Sequence, residues 1–165
     1  MKKRSIFVMT MMMITLLSVL SMPAYARPPE NAEGLWQYQP FIENMRTANG
    51  NTFLKTRENG VWSGTFSGSS TEDGKVVIYS SGAWSFKGIV SFEGEVNGKA
   101  GNLTMRVVGS RPNESTDWTG KWVILSGTDD LASLRGQGTW WGPGAAGPGS
   151  WGDIYYSGNI HFEHE

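Results

Sequence analysis

Tryptophan and phenylalanine alternate with glycine along one side of a two-residue repeat, and this pattern constrains the fold more than any other feature of the chain. The clearest stretch sets Trp84, Phe86, Gly88, Val90, Phe92, Gly94 and Val96 against Ser85, Lys87, Ile89, Ser91, Glu93 and Glu95. A repeat of two means a strand with one apolar face. The same grammar returns in Trp62-x-Gly64-x-Phe66, Trp118-x-Gly120-x-Trp122-x-Ile124, Gly136-x-Gly138-x-Trp140 and Ile154-x-Tyr156-x-Gly158-x-Ile160-x-Phe162, with Leu103, Met105 and Val107 between them. Glycine beside bulky aromatics on one face suits a sheet that bends until it closes, because a narrowing interior takes large and missing side chains in turn. In an open, flat sheet those glycines would only weaken the strands. The prediction is an all-β domain, a small closed antiparallel β-barrel.

Turn signals fall at Glu72-Asp73-Gly74, Ser80-Ser81-Gly82, Asn97-Gly98, Arg111-Pro112-Asn113 and Gly127-Thr128-Asp129-Asp130. Asn97-Gly98 is the strongest, since a two-residue hairpin needs positive φ at both central positions. Residues 43–52 read as a loop, and no ten-residue helical stripe occurs. Lys2-Lys3-Arg4, an uncharged run from Ile6 to Leu20, and Ala24 and Ala26 flanking Tyr25 together spell a secretory leader. The run of uncharged residues is shorter than the roughly 20 needed to cross a bilayer. The expectation is a cleaved signal peptide over residues 1–26, a tether over 27–33 and a barrel over 34–165. Such a protein works in the periplasm or outside the cell, with no membrane attachment after cleavage. Without the leader, 11 basic face 15 acidic side chains, a formal charge of −4, which argues against a nucleic-acid partner. The chain has no cysteine, excluding disulfides, thiol chemistry and cysteine-held metals.

Three stretches resemble a bacterial family of uncharacterised function related to the barrels of allene oxide cyclase and the dirigent proteins. They are Phe66-x-Gly68, the run from Phe92 to Leu103, and the run from Trp122 to Gly138. The last carries Gly127-Thr128-Asp129-Asp130-Leu131 and departs from the family at Asp129 and Ser133, where glycine is expected. The resemblance implies an eight-stranded antiparallel barrel and a homo-oligomer, a trimer as in the plant relatives. It transfers no catalytic residue.

Few constellations point to chemistry. Gly142 to Gly147 and Gly147 to Gly152 both spell G-x-G-x-x-G, but a strand-like segment follows where a phosphate site needs a helix, so this is a Gly/Pro loop. Glu93 and Glu95 share a face, though the one opposite Phe92 and Gly94, and read as solvated. The two histidines, His161 and His164, sit at the chain end and point to opposite faces, so no metal site is expected. Arg106, Asp129, Asp130 and Arg135 would be unusual actors for an enzyme, and each reads as a surface or turn charge.

What remains is the interior. An eight-stranded barrel is either filled by its own side chains or holds one small ligand. The expected role is binding a small apolar or aromatic molecule through Trp62, Trp84, Phe86, Phe92, Trp122 and Tyr156, with Trp140, Trp141 and Trp151 at a loop rim and no cofactor. The alternatives are a cyclase- or isomerase-like enzyme, as the plant resemblance implies, and a glycan- or surface-binding module using the rim tryptophans.

Overall fold

The computed structural model describes residues 28–163, so the expected leader, its cleavage point and His164 lie outside the described residues. Eight strands follow one another: β1 (Glu30–Ala48), β2 (Asn51–Gly64), β3 (Phe66–Ile78), β4 (Trp84–Val96), β5 (Lys99–Arg111), β6 (Trp118–Gly127), β7 (Leu134–Ala145) and β8 (Gly152–Phe162). Each pairs antiparallel with the next, and β8 pairs with β1 to close the ring into a barrel. The single helical piece among the described residues is a 3-10 turn, Asp129–Leu131.

The inward face is the aromatic and glycine face. Register puts an inward glycine beside most inward rings: Gly60 opposite Tyr38, Gly109 opposite both Phe86 and Gly120, Gly120 opposite Trp140, and Gly138 opposite Trp122. A methyl at Gly60 would land on the Trp36 indole, at Gly120 on Trp140, and at Gly138 on Trp122. The glycines are the seats of the rings, and their missing side chains let a narrow barrel hold so many indoles.

Three expectations need correction. Glu72-Asp73-Gly74 is the middle of β3, not a turn, because the two-residue repeat runs through it, with Glu72 and Gly74 buried and Asp73 exposed. The expected loop over residues 43–52 is mostly strand. β1 runs to Ala48 and β2 starts at Asn51, joined by Asn49 (φ 51°) and Gly50 (φ 74°) in a two-residue turn. This hairpin was hard to read because its β1 side is exposed, so no apolar alternation marks it. Finally, β1 begins at Glu30, so most of the expected tether is strand, paired with β8 from Glu30↔Ile160 onward. Asn97 (φ 51°) and Gly98 (φ 77°) form the turn expected of them.

The two ends of the barrel differ. At one end Phe66, Phe92, Val96, Leu103, Leu131, Leu134 and Ile160 are almost completely buried. The 3-10 turn drops Leu131 into this end as a plug, seated over Gly101 with Leu131 Cγ 3.2 Å from where a Cβ would stand. Asp129 opens that turn at φ 54°, a left-handed geometry that aspartate tolerates better than most residues. The Thr128 hydroxyl donates to Asp129 Oδ2 at 2.8 Å, which fixes the turn. The opposite end, where the β1–β2, β3–β4, β5–β6 and β7–β8 turns gather, is not filled.

Candidate functional site

A cavity of about 290 Å³ occupies that unfilled end. Its walls are aromatic. On one side Trp36 stacks on Tyr38 (centroids 4.5 Å apart, planes 13° apart) and on Trp62 (5.5 Å, 25°). On the other, Trp118 meets Trp84 edge-on at 6.1 Å and Trp140 at 6.5 Å, with Phe86 against Trp118 and Trp140. Trp122 and Tyr156 complete the lining. Several rings are pinned by their polar atoms. Trp62 Nε1 donates to Ser70 Oγ (2.8 Å), Trp140 Nε1 to the Lys121 carbonyl (3.2 Å) and Trp122 Nε1 to the Ser157 carbonyl (3.3 Å). The Tyr38 hydroxyl accepts from the Ala145 amide at 3.1 Å, tying β1 to the end of β7. The Tyr156 hydroxyl accepts from the Phe66 amide and donates to the Ser63 carbonyl, joining β8 to the β2–β3 corner. Fixed rings make this a preformed space rather than one that a ligand must open.

Two carboxyl groups interrupt the aromatic wall. Glu58 and Glu72 are direct partners in the β2–β3 register, both pointing inward, with 5% and 1% of their surface exposed. Glu58 accepts a long hydrogen bond of 3.3 Å from the Thr56 hydroxyl. Among the described residues neither oxygen of Glu72 has a partner, and Trp36 Nε1 beside the cavity is unpaired as well. Burial therefore dominates their ionisation, since an apolar surround penalises the charged form. It pushes the Glu58 carboxyl up to about 7. Glu72 is raised well above the usual carboxylate range, first by burial and then by the charge of Glu58. Burial, and next the Glu58 charge, hold the Tyr38 phenol up at about 12. Burial likewise raises Tyr156 to about 12.

At the mouth stands Arg111, the last residue of β5. Its guanidinium lies over the rings of Trp84 (3.9 Å) and Trp118 (4.8 Å) and donates from Nη1 to the Glu114 carbonyl at 3.1 Å. Its burial lowers its proton affinity, as desolvation does for any cation. Glu114 also lines the mouth, so the cavity is bordered by three carboxyl groups and one guanidinium.

Of the residues expected to bind a ligand, Trp62, Trp84, Phe86, Trp122 and Tyr156 line this cavity. Phe92 does not. It is buried at the packed end, in edge-on contact with Trp62 and Phe66. Trp140, expected at the rim, points inward and is a wall residue, whereas its neighbour Trp141 faces out and stacks on Tyr155. Trp151 is 59% exposed and lies outside the lining. The two-residue repeat sends adjacent tryptophans to opposite faces, so Trp140 and Trp141 could not have shared a rim. Arg106, Asp129 and Asp130 are exposed, and Arg135 pairs with Glu163 at 2.9 Å; none reaches the cavity. Glu93 and Glu95 are exposed, as expected.

Sequence reading missed Glu58, Glu72, Thr56, Trp36, Tyr38, Arg111 and Glu114. The signal for the first two was present: stepping back by two from Trp62 passes Gly60, Glu58 and Thr56, and stepping forward from Phe66 passes Gly68, Ser70, Glu72 and Gly74. Polar identity masked a perfect inward parity.

Fold and cavity define a class: a closed eight-stranded antiparallel barrel, plugged at one end and open to an aromatic, acid-bearing cavity at the other. Residues 35–141 match the family model described as protein of unknown function, DUF3224, and the chain belongs to that family. It is similar to the crystal structure of a protein with unknown function from the DUF3224 family of Shewanella oneidensis MR-1, with a TM-score of 0.66 and 14% sequence identity, covering 84% of this chain and 100% of that one. At that identity the likeness speaks for the fold alone. No curated protein matches the chain.

Proposed function

We propose that the barrel binds one small aromatic or apolar molecule in the cavity at its open end. The observation that carries this reading is the contrast between the ends. One is filled by its own side chains and the plug Leu131, while about 290 Å³ between fixed rings is left at the other. That volume is at the small end of ligand pockets, which start at about 300 Å³. The aromatic side chains supply area and stacking, and the buried carboxyls supply direction. Titrating phenolics, terpenoids and fatty acids while following tryptophan emission tests the proposal. Saturable change from ring-sized compounds, with a negative heat-capacity change, supports it. Absence of binding across the panel contradicts it.

A second reading, a cyclase- or isomerase-like enzyme, gains support from the Glu58–Glu72 pair. A carboxyl that titrates near neutrality and lines an aromatic cavity is suited to general acid–base work. The resemblance of the stretches around Phe66, Phe92 and Trp122 to allene oxide cyclase and dirigent barrels supports this reading. Recovery of a bound hydrophobic compound chemically changed would favour it, and recovery unchanged would favour binding. We place either function outside the cytoplasm on the strength of the leader-like residues 1–26. Intact-mass analysis of exported protein beginning at Arg27 is the check, and a mass retaining those residues counts against it.

A further inference from the structure

We propose that the cavity is selective for cationic ligands, specifically aryl-alkyl amines whose ammonium group reaches the Glu58–Glu72 pair while the ring lies among the indoles. This deepens, and rests on, the reading that the cavity takes a small ligand. Three observations lead to it. Glu72 is almost fully buried, lines the cavity, and offers two oxygens with no partner among the described residues. A buried carboxyl without donors is costly, and a ligand bringing N–H groups and a positive charge satisfies both deficits at once. Next, the walls are rings whose π-faces attract cations, the physical basis of ammonium recognition by aromatic cages. Arg111 shows this in place, its guanidinium lying 3.9 Å over Trp84 and 4.8 Å over Trp118. Finally, the lining carries three carboxyl groups, Glu58, Glu72 and Glu114, against the single guanidinium of Arg111.

The alternatives fit less well. An anionic ligand would find Arg111 only at the mouth and would meet two carboxyls further in. A neutral alcohol could donate to one carboxyl but would bring no charge to stabilise it. Tyr38 from β1 faces the pair, and Tyr156 from β8 also lines the cavity; Arg111 from β5 and Glu114 stand at the mouth, and Asp73 of β3 lies behind Glu72 on the outer face. Tyr38 and Tyr156, both held up at about 12 by burial, keep their protons between pH 5 and 8 and cannot imitate the carboxyls. With its carboxyls reluctant to ionise, the cavity must release a proton to receive an ammonium group. Affinity for amines therefore rises with pH, and that of neutral isosteres does not.

The experiment compares phenethylamine, 2-phenylethanol and phenylacetate by calorimetry at pH 5 and pH 8, in two buffers of different ionisation enthalpy. The expected result is that phenethylamine binds about tenfold or more tightly than 2-phenylethanol at pH 8, with a narrower gap and proton release on amine binding at pH 5. Glu72→Gln should remove the preference while 2-phenylethanol binding persists, and Glu58→Gln should reduce it. Persistence of alcohol binding shows that the variant is folded and its cavity intact. Equal binding of amine and alcohol, or an amine preference unchanged in both variants, overturns the inference but leaves the apolar pocket standing. Failure of all three compounds to bind overturns both readings.

Discussion

Glu58 on β2 and Glu72 on β3 face one another across a single register position inside an aromatic barrel, and among the described residues no lysine, arginine or histidine side chain is bonded to either. Two neighbouring carboxyls without a cation cannot both ionise cheaply, so the pair makes the stability of the fold depend on pH. Both hold their protons more firmly in the barrel than in the unfolded chain. Stability is accordingly full below about pH 4.5, the ordinary glutamate value, and falls as pH climbs from there through 7, where Glu58 ionises in the barrel. Glu58 and Glu72 titrate as a pair, and both act with this sign. Thermal melts should show a lower Tm at pH 8 than at pH 5, and the doubly substituted Glu58→Gln/Glu72→Gln chain should lose most of that slope. An unchanged slope in the double variant would remove the pair from the account.

The glycine seats offer a second test. Gly120 lies beneath Trp140, and a side chain there meets both the indole and the Val108 carbonyl, so Gly120→Val should destabilise the barrel by about 1–3 kcal/mol. Gly147 has open space around it and no positive φ, so Gly147→Ala should stay within about 0.5 kcal/mol of the parent. Urea midpoints at constant m-value measure both. Equal effects at the two positions would mean that the glycines are not seats for the rings.

The plug makes a third prediction. Leu131 is fully buried at the closed end, and Leu131→Ala should cost about 2–5 kcal/mol, as truncation of a packed leucine does. Because Leu131 is absent from the cavity lining, ligand affinity in the folded variant should not change. Parallel denaturation and binding curves check both halves.

Much of this architecture was legible from the alternation of rings and glycine. Trp62, Trp84, Trp118 and Trp122 were placed on the inner face because a two-residue repeat allows only two faces, and all four are there. Parity failed wherever polarity was used in its place. Glu72-Asp73-Gly74 has the composition of a turn, yet Gly74 is inward because the Phe86 ring needs the space. The upper part of β1 was missed for the opposite reason: Phe41 to Arg46 are all exposed, so burial leaves no periodic mark on them. Which end would be filled was beyond sequence reading. That depends on Leu131 being carried into the barrel by a three-residue helix whose entry bends through Asp129 at positive φ.

The cavity as ligand site is tested most directly by filling it. Val107 lines the space between Gly88 of β4 and Trp122 of β6, and Val107→Phe puts a ring into the volume where a ligand would lie. Titration of 2-phenylethanol and phenethylamine against parent and variant, each shown to be folded by circular dichroism, is the measurement. The account predicts saturable tryptophan quenching in the parent and its loss, or at least a tenfold weakening, in the variant. Equal binding by both chains would contradict it and would put the ligand somewhere other than the barrel interior.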